Sequence, residues 1–427
     1  MSKNDAAWTE LFERHDILNK IQRSEYFRIS SSQINALREA RLMAKFDHSV
    51  NLPNIFRAHN LTILPDSRGA YLIGHFDAYQ TIRADFPVNP IEISFPPVIE
   101  SIDYTNLYSE ASALLCAYNC GIIDDVVGEP VNLTVLGRMS TSRFAYRIRN
   151  TQVDSWYNIN VENAQCEIDG GFEGSTKFAI VEAKTYIADD FLIRQLYYPY
   201  RLWQSKIKKW ILPIFMSYSN DVFNFLIYEF KDVENYNSLE LIEQRSYKIA
   251  SESIELEDIF EVFQQVQILP EPIGVPFPQA DNFRRVIDLL GLLYHSDLTA
   301  QSITLEYQFD QRQTQYYTRS AMYLGLVNRL TDTSPVYTLS ELGKSILQMP
   351  AKQKYLAIVR QILQHEVFYK VTELYFKNSV RPSREAVVTI MQNASLNISG
   401  TTTIPRRAQT VLAWVDWILS LPRAINH

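Results

Sequence analysis

Two acids and a lysine stand close together in CEIDGGFEGSTKFAIVEAK, residues 166–184. Phe178, Ala179, Ile180 and Val181 form an apolar run of the kind that makes a buried strand. Side chains alternate along a strand, so Glu182 and Lys184 share a face. The Gly/Ser/Thr-containing loop before the run supplies a turn. With that turn between Ser175 and Thr176, Asp169 and Glu182 lie directly opposite each other, Cβ atoms about 5 Å apart. Two carboxylates so placed repel, and burying them is costly without a cation. A divalent metal ion removes the conflict, and carboxylates suit Mg²⁺, a hard, oxygen-seeking ion. Such an ion acidifies bound water and neutralises charge developing on a phosphate. Beside it, Lys184 would have its pKa lowered by the positive charge, and would orient or deprotonate the water. That is the chemistry of metal-assisted phosphodiester hydrolysis. The plainer reading of the same residues is a cross-strand ion pair between Lys184 and Glu167. Glu167 thus stands open as metal ligand, lysine partner or bystander.

The surrounding sequence must hold these groups in place. TNLYSEASALLCAYNCGIIDDVVG reads as a helix ending near Gly121, with Leu107, Ala111, Leu114, Leu115 and Tyr118 at helical period. Glu110 in it is either an exposed acid or a third carboxylate reaching the metal. VNLTVLG and RFAYRIRN read as strands, the second alternating apolar residues with Arg143, Arg147 and Arg149. Those arginines face phosphates or solvent. After Lys184, Asp189 or Asp190 is the expected N-cap of a helix kinked at Pro199, carrying Arg194, Gln195, Tyr197, Tyr198 and Arg201. WILPIFMSY and VFNFLIYEF read as buried strands. The order of elements predicts a mixed α/β core.

Asp169, followed after twelve residues by Glu182-Ala183-Lys184, resembles the PD-(D/E)xK nucleases found among restriction endonucleases and related DNA-cutting enzymes. The resemblance covers roughly 96–230 and departs from the motif at Ile168, which stands where many members have proline. It implies that Asp169 and Glu182 bind Mg²⁺, that Glu110 assists as a metal-site glutamate, that Lys184 activates water and that Gln195 orients the site. It further implies a Type II restriction endonuclease, a Mg²⁺-dependent enzyme cutting double-stranded DNA at a specific sequence. A homodimer follows from the need to cut two strands. A bacterial or archaeal cytoplasm would be its setting. The alternatives are a non-catalytic DNA-binding regulator and a repair or modification-dependent nuclease.

The chain has 427 residues and is 46% hydrophobic, enough for two to four packed domains. It reads as a multidomain α/β (α+β) protein divided into 1–95, 96–265 and 266–427, the first boundary following the prolines at 87, 90, 96 and 97. No apolar run is long enough to span a membrane, and the polar start MSKNDAAWTELFERHD lacks a signal peptide's apolar core. Cys116, Cys120 and Cys166 make neither a disulfide framework nor a zinc site. The net charge of −7 argues mildly against nucleic acid as a partner, but local basic patches remain open.

In 1–95, helices are expected over 6–22 and from Ser30–Ser32 onward, followed by a hairpin of LTIL and AYLIGHF. Arg38, Arg41, Lys45 and Arg68 either clamp a duplex through its phosphates or form a solvated face. After the Pro-rich linker LPEPIGVPFPQAD, the C-terminal region reads as three helices and a β-wing, and YYTRSAMYLGLV with YTLSELGKSIL resembles winged-helix DNA-binding domains. Its third helix opens on Gln311, Arg312, Gln313, Gln315, Tyr316 and Arg319, residue types that read guanine and adenine. Arg406 and Arg407 open the last helix and extend the expected DNA contact. Gly343-Lys344-Ser345 is no phosphate loop, since Thr338 occupies the required glycine position. With no dinucleotide fingerprint either, no nucleotide cofactor is expected.

Overall fold

The computed structural model describes residues 3–83, 89–307, 309, 311–330, 335–398 and 403–422. Pro87, used above to mark a boundary, lies outside them. The chain forms two compact units, one of residues 1–93, 110–218 and 222–248, the other of residues 94–109, 219–221 and 249–427. The fold is mixed α/β with a mixed sheet, and its C-terminal region is helical. No helix among the described residues is long and apolar enough to cross a membrane.

The first unit is built on a seven-stranded sheet. Its strand order is Ile91–Ile93, Leu239–Ile249, Val222–Phe230, Trp210–Ser219, Lys177–Lys184, Gln165–Glu173, Asn132–Ser140. Lys177–Lys184 pairs parallel with Trp210–Ser219 and antiparallel with Gln165–Glu173. It is a central strand, buried from Phe178 to Lys184, as its near-continuous apolar run requires. The helix Glu110–Asn119 covers the face of Val181. Gly170, opposite Val181, permits this: a Cβ there would stand 2.8 Å from Leu114 Cδ2 and 2.6 Å from Phe172 Cε2. The helix Arg194–Gln204 covers the other face, with Trp203 packed on Phe178 at 4.9 Å between ring centroids. Alternation also holds in Phe144–Arg149, where Phe144, Tyr146 and Ile148 are buried. Two neighbouring arginines are occupied at the surface: Arg143, just before the strand, pairs with Glu162, and Arg147, within it, with Asp232.

Several local expectations need correction. The N-terminal helix is two, Lys3–His15 and Ile17–Ser24, because Asp16 takes the left-handed conformation at φ 52°. The next is also two, Ser31–Asn35 and Ala40–Ala44. Ser30 caps the first with Gln33 in a reciprocal box, and Asn35 Oδ1 then accepts from Ala40 N at 2.7 Å, closing a turn instead of another helical turn. The hairpin Thr62–Ser67 and Ala70–Gly74 forms as expected. Neither Asp189 nor Asp190 caps the helix after the motif. Asp190 lies in the strand Asp190–Leu192, and Ile193 precedes the first helical residue.

The second unit begins its C-terminal region with the helix Phe283–His295, then the short helix Ala300–Glu306 and the helix Gln311–Tyr323. Leu298–Thr299, Val336–Leu339 and Val327–Arg329 form a three-stranded sheet in that order, followed by the helix Glu341–Leu347. Gly343 lies inside that helix, where a Cβ would come within 2.3 Å of Leu326 O; the residue is a packing glycine. Ala351–Leu363, Glu366–Asn378, Arg384–Gln392 and Ile404–Ser420 complete a helical layer.

Candidate active site

The hairpin register sets the site. Phe178 faces Glu173, Ala179 faces Phe172, Ile180 faces Gly171 and Val181 faces Gly170. This register centres the turn between Ser175 and Thr176, and its last pair, Val181 with Gly170, lies one position before Glu182 and Asp169. Glu129 closes that turn, its carboxylate accepting from Thr176 N at 3.0 Å and from Lys177 N at 2.7 Å.

Lys184 and Glu182 are each only 7% exposed. Lys184 Nζ donates to Glu182 Oε1 at 2.6 Å, to Ala183 O at 2.9 Å and to Glu110 Oε1 at 3.3 Å. Glu110 is the first residue of its helix, not an interruption within it, and so reaches the end of the central strand. Asp169 Oδ2 accepts from Ala183 N at 2.7 Å. Gln195, in the first turn of its helix, donates through Nε2 to Glu182 Oε1. The residues expected at the site, Asp169, Glu182, Lys184, Glu110 and Gln195, therefore converge. Glu167 does not join them: it lies opposite Arg138 in the neighbouring strand and pairs with it at 3.1 Å.

The electrostatics follow from burial. Burial, with the charges of Asp169 and Glu110, pushes the Glu182 carboxyl up to about 8 against the opposing pull of Lys184. Asp169 is raised as well, again chiefly by burial, with Glu110 and Glu167 adding to it. For Lys184, burial works against the ammonium, but Glu110 and Glu182 outweigh it and hold the group well above the ordinary lysine range. Lys184 is therefore a cation here, the counterion of the acids around it.

Sequence reasoning missed a neighbouring cluster. His48, 1% exposed, has Nδ1 2.6 Å from Asp190 O and Nε2 2.6 Å from Tyr186 OH. Leu192 N donates to Asp47 O at 2.9 Å. Burial raises the Asp47 carboxyl, yet Lys45, Lys184, Arg194 and His48 outweigh it and leave it below the usual carboxylate range. Asp47 thus belongs to the field around Lys184. The segment FDHSV carries no spacing that points to residues 138 or more positions away.

The basic residues expected at DNA belong to both units. Arg38 donates to Asn4 Oδ1 at 2.8 Å, while Arg41 is exposed. On the helix Gln311–Tyr323, Arg312, Gln315 and Arg319 are exposed and Gln313 and Tyr316 half-buried. The side chain of Gln311 lies outside those described. Arg406 is exposed and Arg407 buried in the first turn of Ile404–Ser420.

The donor set suits a hard divalent ion. Asp169 and Glu182 offer oxygens whose negative charge burial disfavours, and Gln195 Oε1 is buried without a hydrogen-bond partner. Among the described residues, no group of three or more His, Cys, Asp or Glu is arranged to hold a metal by itself. Mg²⁺ is commonly held by one or two carboxylates, with substrate phosphate and water completing its shell.

Three profiles of domains of unknown function match successive stretches: DUF6996 over residues 5–73, DUF6997 over 74–248 and DUF7226 over 285–423. No curated protein and no solved structure matches the chain.

Proposed function

We propose that the protein is a Mg²⁺-dependent endonuclease of the PD-(D/E)xK type, hydrolysing phosphodiester bonds in double-stranded DNA at a specific sequence. The observation that carries this reading is the cluster of buried Glu182 and half-buried Asp169, with Lys184 and Gln195 bonded to Glu182, Glu110 bonded to Lys184, and Asp169 bonded to Ala183 N. Asp169 and Glu182 would hold the ion. Once bound, the ion supplies an acidified water and offsets negative charge on the phosphate. Glu110 supports the site through Lys184. As an ammonium, Lys184 donates hydrogen bonds and stabilises charge at the reacting phosphate; it takes up a proton from water only after losing its own. Gln195 fixes Glu182 and leaves its Oε1 to accept from water.

In the C-terminal region, the helices, the short three-stranded sheet and the closing helix support a winged-helix reading. Gln315 and Arg319, exposed on one helix, are its best candidates for contact with bases. A homodimer would bring two centres to the two strands.

A second reading draws on the same geometry. Lys184 already has three acceptors, so the cluster satisfies itself, as a structural ion pair would in a non-catalytic DNA-binding regulator. Supercoiled plasmid incubated with Mg²⁺ or with EDTA separates the two. The nuclease reading expects Mg²⁺-dependent cutting that Asp169→Asn loses while duplex binding in a gel-shift assay persists. Equal cutting by Asp169→Asn and wild type would remove Asp169 from the mechanism. Sequencing the ends from a plasmid library, methylated and unmethylated, reads the recognition site and distinguishes a modification-dependent enzyme.

A further inference from the structure

A second concentration of like charge lies in the C-terminal region. A pocket of about 270 Å³ is lined by Arg312, Gln313 and Tyr316 from the helix Gln311–Tyr323. Arg406, Arg407 and Thr410 from Ile404–Ser420 form another wall, and Gln279 and Asp281 from the preceding linker complete it. The two helices are 13 and 17 residues long and both contribute their first turns, so two positive helix ends meet the guanidinium groups there.

Arg407 is the central observation. It is 7% exposed, donates from Nη1 to Pro278 O at 3.1 Å, and its Nε is buried without a hydrogen-bond partner. Burial, with the charges of Arg406 and Arg319, pulls its guanidinium down to about 10. Arg406 is held in place by Gln279 Oε1 at 3.0 Å, and Arg312 stacks over the Tyr316 ring at 5.4 Å. Against three arginines, Asp281 is the one carboxylate among the described lining residues, and it accepts from Thr410 Oγ1 at 2.5 Å. A buried arginine crowded by like charges, with a donor unused, is stabilised by an anion.

We propose that this pocket binds a terminal phosphomonoester, the phosphate of a free nucleotide or of a DNA end. Such a group carries nearly two negative charges at neutral pH and three strong acceptor oxygens, matching several guanidinium donors in a concave site. An internal phosphodiester carries one charge, presents two non-bridging oxygens and continues as chain on both sides, which suits an open surface. The inference is independent of the nuclease reading, since it involves neither Asp169 nor Glu182.

The test is calorimetric titration of the full chain in EDTA at fixed ionic strength. The probes are inorganic phosphate, deoxyadenosine 5′-monophosphate, deoxyadenosine, and one DNA hairpin with either a 5′-phosphate or a 5′-hydroxyl. Phosphate and the monophosphate should bind and compete with each other, while deoxyadenosine should not compete. Arg312→Gln and Arg406→Gln, both at exposed positions, should each weaken phosphate binding about tenfold or more. Those two variants keep the test decisive where Arg407→Gln fails to fold. Tighter binding of the monophosphate than of the phosphorylated hairpin assigns a free nucleotide; the reverse order assigns a DNA end. Absence of phosphate binding overturns the proposal. So does unchanged affinity in both variants, while equal binding of the two hairpins beside tight binding of the monophosphate assigns the free nucleotide.

Discussion

The acidic centre and the arginine pocket solve opposite problems in opposite ways. Around Lys184, buried negative charge is met from within the chain: the ammonium contacts Glu182 and Glu110, and Asp169 takes a backbone N–H. Around Arg407, buried positive charge is met only in part, by Pro278 O and the field of Asp281, with Nε unused and other arginines close by. The first arrangement is a self-contained network with two carboxylates still held above their usual range. The second is an electrostatic debt that a ligand cancels. The contrast teaches that clustered charge alone does not reveal a site's cargo; what matters is which charges the fold already answers.

The largest effect should come from removing the internal counterion. Lys184→Met leaves buried acids uncompensated and should cost about 3–5 kcal/mol in urea unfolding. Glu182→Gln combined with Lys184→Met should recover most of that loss. A cost near zero for Lys184→Met would break the comparison, because the acids would then not depend on the lysine.

Next comes pH and metal. Glu182 is raised from 4.5 to about 8, so its folded state holds a proton more tightly than the unfolded chain. Its contribution to stability is complete below 4.5 and is lost as pH rises toward 8. Melting curves should therefore show a decline over that window which Glu182→Gln reduces. At pH 8, Mg²⁺ at a hundredfold excess over its dissociation constant should restore about 2.7 kcal/mol, and less at pH 5, where protons compete. The same shift at both pH values would detach the metal from Glu182.

Gly170→Ala tests how the scaffold brings Glu110 to the site. The new methyl group meets Leu114 and Phe172, so about 1–3 kcal/mol of stability should be lost in urea unfolding. Arg319→Gln should be the mildest change, stabilising by about 0.5 kcal/mol or less as one like charge acting on Arg407 disappears. Thermal unfolding at low salt reads it, and a clear loss of stability would mean that Arg319 has a role other than crowding Arg407.

What the sequence disclosed depended on how local the determinants were. The hairpin register was legible because strand alternation and a short turn fix it within twenty residues. Convergence of Glu110 and Gln195 was legible only through the family resemblance, since nothing in their spacing requires it. Glu167 was undecided because its partner Arg138 lies on a strand whose register the hairpin does not set. Asp47 and His48 were invisible, as their contacts lie across the fold at Tyr186, Asp190 and Leu192. Helix breaks at Asp16 and after Asn35 escaped periodicity, because one left-handed residue or one side-chain hydrogen bond ends a helix whose apolar spacing continues. The types of Arg312 and Arg406 suit groove contacts, and only the tertiary fold brings them to one concavity.

The most direct measurement is cleavage of supercoiled plasmid by wild type and Glu182→Gln, with Mg²⁺ and with EDTA, alongside melting temperatures of both proteins. Wild type should cut only with Mg²⁺, and a folded Glu182→Gln should lose about a hundredfold or more of that activity. Cutting by folded Glu182→Gln at the wild-type rate, or no cutting by wild type on a library covering all short sites, would contradict this mechanism.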